Sequence, residues 1–153
     1  MEEKKANVEK ADNAAAEAGV NSLLGLALVL GNNDIANYLI DNGSNLKFVN
    51  KKNGMTLLMT AALVGNVDIF KLLLEKIEKD RIICAKDKEG KTVKDYIEAP
   101  LIINEELYDS KKWYAGSNIT KESKNDDVKK VMTEKVNKVI EDLHPQQKKC
   151  PGA

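Results

Sequence analysis

The sequence predicts an all-α fold: a stack of helix–loop–helix repeats with short hairpin-like connectors and a C-terminal capping helix. Three observations predict it. First, Ser22-Leu23-Leu24-Gly25-Leu26-Ala27-Leu28-Val29-Leu30-Gly31 returns 34 residues later as Thr56-Leu57-Leu58-Met59-Thr60-Ala61-Ala62-Leu63-Val64-Gly65, and Asn32-Asn33-Asp34-Ile35 returns as Asn66-Val67-Asp68-Ile69. A repeat of this length marks a unit that stacks on its own copies. Second, Gly31, Gly43 and Gly65 sit where helices of the repeat should stop, the closing glycine of the second copy being replaced near Ile77, and Asn53-Gly54 signals a tight turn between the copies. Third, Val128, Val131, Met132, Val136, Val139, Ile140 and Leu143 form an apolar stripe ahead of Pro145.

The elements follow in order. Residues 1–18 are rich in Ala, Glu, Lys and Asn, and Val8, Ala11, Ala15 and Ala18 share one helical face, so a helix or a tail is expected there. Asn21 or Ser22 caps the next helix, whose nearly continuous apolar run to Leu30 implies burial on most sides. Gly31 stops it, Asp34 caps or opens a second helix carrying Ile35, Tyr38 and Leu39, and Gly43 ends that one. The connector 44–55 leads to Thr56 and the second copy, a helix to about Val64 and another carrying Ile69, Phe70, Leu72, Leu73 and Ile77 toward Lys79. Asp87-Lys88-Glu89-Gly90-Lys91-Thr92 begins a weaker third copy at an offset of 36, with one short helix from Thr92 and a second from Leu101 to Tyr108. Residues 109–124 read as irregular, and Asn125 or Asp126 caps the last helix, which runs to Leu143. The domain plan is 1–18, repeats over 19–108 (about 19–52, 53–88 and 89–108), then 109–153.

Composition bounds the function. At 153 residues, 42% of them hydrophobic, the chain suits one domain with a real core, and 31% charged residues suit a solvated exterior. Lys plus Arg and Asp plus Glu are 24 each, so no net field favours nucleic acid or an anionic membrane. Leu23 to Leu30, the longest apolar run, is too short to span a bilayer. No apolar stretch follows the first charged residues as in a signal peptide, so a cytoplasmic location is expected, or a periplasmic or secreted one if a leader has been removed. Lys-, Asn- and Ile-rich repeats suit a bacterial source. Cys84 and Cys150 are expected as free thiols, a bridge between them being the alternative.

The second copy resembles the ankyrin repeat core, Thr-Pro-Leu-His-x-Ala-Ala-x-x-Gly, and Gly90-Lys91-Thr92-Val93-Lys94-Asp95-Tyr96-Ile97 is similar to a degenerate terminal repeat of that family. The resemblance covers roughly residues 18–108. Leu23, Leu57 and Val93 replace the proline, and Gly25, Met59 and Asp95 the histidine that ties neighbouring loops together, so the tips should be held less firmly. Two sound repeats and a poor third need end caps, since a repeat is not stable alone. The N-terminal segment and the last helix are expected to supply them.

The resemblance implies a non-catalytic module that binds another protein through its loop tips and concave face. Carried over by position, the tips are Lys52, Asn53 and Met55, then Lys88, Glu89 and Lys91; the helix face is Val29, Leu30, Leu63 and Val64. Those four form either a hydrophobic groove or surface covered by the terminal segments, the latter expected for at least two of them. Trp113 with Tyr114 is either a binding anchor or a plug. A monomer is expected, and self-association through the C-terminal helix, as a structural protein, is the alternative function.

Little supports catalysis. His144 is the only histidine and lies just before Pro145, which disfavours a nucleophile–histidine pair and an imidazole metal site. No glycine-rich phosphate loop is present, and Asp95 and Glu98 read as a solvated helix start. No cofactor, metal, nucleic acid or membrane insertion is expected. Asn118-Ile119-Thr120 matches a glycosylation acceptor of low specificity.

Overall fold

The computed structural model describes residues 2–18, 22–77, 81–99, 124–143 and 150. It is mostly helical: α1 (Glu2–Ala18), α2 (Leu23–Leu30), α3 (Asn33–Asp41), α4 (Leu57–Val64), α5 (Val67–Lys76), a 3-10 turn (Arg81–Cys84), α6 (Val93–Glu98) and α7 (Asp126–Leu143). The expected helix over 101–108 and all of the expected irregular segment 109–124 except Lys124, Trp113 included, lie outside the described residues.

The repeated phrase folds through repeated caps. Ser22 Oγ accepts from the Gly25 amide at 3.1 Å, and Thr56 Oγ1 from the Met59 amide at 3.2 Å. At the other end Gly31 (φ 68°) and Gly65 (φ 74°) take the left-handed conformation and return their amides to helix carbonyls. Asn32 and Asn66 then cap α3 and α5 through Oδ1, and Asp34, expected to cap or open α3, lies in its first turn. The Asn66 side chain also donates to Asn33 Oδ1 at 2.8 Å, joining the two turns. Unlike the expected extension to Lys79, α5 stops at Lys76, where buried Ile77 bends the chain.

The helices stack in two rows. In one row α2 packs on α4 and α4 on α6; in the other α3 packs on α5 and α5 on α7. Leu24, Leu28, Leu58, Met59, Ala62, Phe70 and Leu73 fill the space between them. α7 therefore stands where the third repeat's second helix would stand. Its stripe turns inward: Met132 and Val136 are fully buried and Ile140 nearly so. Asn125 caps it by accepting from the Val128 amide at 2.9 Å. Just before it, buried Lys124 donates to the carbonyls of Tyr96 (2.7 Å) and Ala99, satisfying the end of α6. Burial, then repulsion from Lys129, pulls its pKa down to about 8.

Two expectations are corrected. Cys84 and Cys150 are not free but form a disulfide, 66 residues apart in sequence, because Cys150 stands with its Cα 5.5 Å from that of Cys84 at the end of the 3-10 turn. And α1 is a helix that packs in a different rotation from the one expected. Ala15 and Ala16 touch the core and Asp12 is fully buried, whereas Ala11 and Ala18 are exposed. The reason is polar: Asp12 Oδ2 accepts from Ser44 Oγ at 3.1 Å and the Asn45 amide at 2.8 Å. An exposed ion pair from Glu17 to Lys51 extends the same contact. α1 is thus latched to the connector after α3.

Candidate protein-binding surface

The connector tips are built by one polar residue each. Asn50 accepts on Oδ1 from the amides of Lys52 (2.9 Å) and Asn53 (3.4 Å), while its backbone exchanges bonds with Met55 and Gly54. Val49 and Thr56 pair antiparallel at the base, which makes a short hairpin. In the third copy Asp87 does the same work: Oδ1 accepts from the amides of Glu89 and Lys91, both at 2.9 Å, and Oδ2 from the Tyr96 hydroxyl. These are Asx turns, in which a short side chain replaces a backbone acceptor.

The tips are tied to each other although the histidine is missing. The Lys88 amide donates to the Asn53 carbonyl at 3.0 Å. Met59 Sδ and Asp95 Oδ2, in the histidine's positions, serve their own helices by accepting from the Thr56 and Thr92 amides at 3.5 and 2.7 Å.

The predicted residues fall into three groups. Lys52, Asn53, Lys88 and Lys91 are exposed along the joined tips. Lys91 is occupied: it pairs with Glu89 at 2.7 Å and sits 6.0 Å from the Tyr96 ring centroid. Glu89, by hydrogen bonding and charge, raises its pKa. The Lys52 and Lys88 side chains make no hydrogen bond or ion pair among the described residues. Met55 is half-buried against the core. On the helices, Val64 is buried and Val29, Leu30 and Leu63 are half-buried, so none of the four stands out into solvent.

Among the described residues the large exposed hydrophobic side chains are others: Leu23 (48%), Leu26 (46%), Ile35 (51%), Tyr38 (55%) and Val49 (40%). The 34-residue register explains the first four. Their counterparts Leu57, Thr60 and Ile69 are buried and Leu72 half-buried. Repeat two has a neighbour on both sides, repeat one only on its C-terminal side. Positions that are covered in one and open in the other face the N-terminal end of the stack.

Two rows of stacked helix pairs, glycine-stopped and joined by tied hairpin tips, define a helical solenoid of repeats. The family model for ankyrin repeats, three copies, matches residues 8–96, more than half of the chain, and the chain belongs to that family. No curated protein and no solved structure matches it. Members of the family are generally protein–protein interaction modules and typically non-catalytic.

Proposed function

We propose that this chain is a non-catalytic module that holds a partner protein on its tip strip, with Lys52, Asn53 and Lys88 as the contacts. The observation that carries this reading is the hydrogen bond from the Lys88 amide to the Asn53 carbonyl. It joins two separate loops into one preorganised strip, which lowers the ordering cost of binding. The ammonium groups of Lys52 and Lys88, without an ion pair among the described residues, favour a partner surface with carboxylates. Val29, Leu30 and Leu63, half-buried beside one another in register, suit the edge of such an interface more than its centre. The alternative, self-association through the C-terminal helix, is disfavoured by the burial of Met132, Val136 and Ile140 of the α7 stripe inside the stack. Of the two compartments anticipated, the disulfide favours an oxidising one outside the cytosol.

The test is affinity capture from host extract with the parent chain and with a Lys52→Glu/Lys88→Glu variant, whose side chains are exposed and whose helical circular dichroism should not change. Loss of the captured partner is expected. Equal recovery by both proteins sinks the tip reading.

A further inference from the structure

Independently of the tips, we infer that the N-terminal end face of the stack docks a helical segment of another protein, one with an apolar stripe flanked by lysine or arginine. Leu23, Leu26, Ile35 and Tyr38 are each about half exposed there. Together they present on the order of 400 Å² of apolar surface, the size that marks functional patches on monomers. Of their counterparts one repeat later, on helices packed by α2 and α3, Leu57, Thr60 and Ile69 are buried and Leu72 half-buried, so the face has the relief of a helix-packing surface. Tyr38 supplies the kind of large amphipathic side chain that anchors interfaces.

The chain leaves this face open although α1 ends only five residues before α2 begins. The polar bonds of α1 run to Ser44, Asn45 and Lys51 on the connector instead. At the opposite end α7 closes the stack. The two ends are therefore treated differently by the same molecule.

Charge selects the occupant. α2 carries no ionisable side chain, and α3 carries Asp34 and Asp41, both exposed, with no basic residue. An apolar centre with an acidic rim fits a helix with basic flanks. A second copy brought to this face adds a second acidic rim, with no basic residue on α2 or α3 to answer either one. An anionic lipid surface meets the same repulsion.

The test is fluorescence anisotropy of the full chain with two labelled amphipathic peptides of about five turns, identical leucine stripes flanked in one by lysine and in the other by glutamate. The lysine peptide should bind saturably and at least about tenfold more tightly than the glutamate peptide. Ile35→Ser/Tyr38→Ser, at exposed positions, should weaken it by about tenfold or more with the circular dichroism unchanged. Asp34→Lys/Asp41→Lys should reverse the peptide preference, and Lys52→Glu/Lys88→Glu should leave it intact, which separates this face from the tips. Equal binding of both peptides, or binding indifferent to Ile35→Ser/Tyr38→Ser, overturns the inference. So does sedimentation showing a dimer that these two substitutions dissociate, since the face would then belong to a second copy.

Discussion

At Gly54 the backbone takes φ +75°, and a Cβ there would lie 2.9 Å from the Lys88 backbone nitrogen. The position thus needs glycine twice, for its left-handed backbone and for the approach of the next tip. At Gly90 φ is +79° but a Cβ would meet nothing within 4 Å. Gly90→Ala should cost only the backbone term, about 1–2 kcal/mol, and Gly54→Ala clearly more; equal urea-unfolding free energies for the two would contradict the tied-tip geometry. Asp87 is the hub of the third tip. Burial pushes its carboxyl up, but hydrogen bonds from Tyr96 and the Lys91 and Glu89 amides outweigh burial, so it titrates below its ordinary 3.8. Folding therefore favours the ionised form; the stability this contributes is present above pH 3.8 and is lost as pH falls through the lower, folded value. Tyr96→Phe, which removes one donor, should flatten the fall in urea midpoint on acidification from about pH 5 to about pH 3. A fall as steep as the parent's would show that this hydrogen bond does not set the carboxyl.

At the scale of elements, the helices of the repeats were legible because their signals are local. Ser22, Thr56 and Asn125 cap within three residues of themselves, and Gly31 and Gly65 stop helices by their own backbone freedom. The α7 stripe was legible too, as a period in one segment. What the sequence hid was long-range. Asp12 turns an unexpected side of α1 inward because its partners Ser44 and Asn45 lie more than 30 residues on. Asn32 takes the cap of α3 two positions ahead of Asp34, a difference that composition does not resolve. Asp87 does the work of Asn50 rather than of Lys51, the residue 36 positions before it, because the third turn is one residue tighter. At the candidate surface, Lys52, Asn53, Lys88 and Lys91 stand exposed on the connectors, and the four helix-face positions are covered, Val64 fully and Val29, Leu30 and Leu63 in part; the exposure of Leu23, Leu26, Ile35 and Tyr38 follows from their place in the stack, which no single residue signals.

The whole molecule is a short solenoid whose ends differ. A stack of so few repeats exposes a large fraction of its inter-repeat surface, and the sum of repeat and interface energies is small. Here the C-terminal end is completed by a helix from outside the repeats and stapled by Cys84–Cys150, while the N-terminal end stays open. A crosslink across 66 residues restricts the unfolded chain strongly, so Cys84→Ser/Cys150→Ser should lower unfolding stability by about 2–4 kcal/mol without loss of helix. Unchanged stability would mean that the C-terminal end is closed by packing alone. The claim that α7 serves as the outer helix of the third repeat is tested most directly by native-state hydrogen exchange resolved by peptide. Amides in 126–143 should be protected to nearly the same free energy as those of α5, its neighbour in the row, and well above those of α1. Exchange of 126–143 at the rate of a detached helix, with α4 and α5 still protected, would contradict the account.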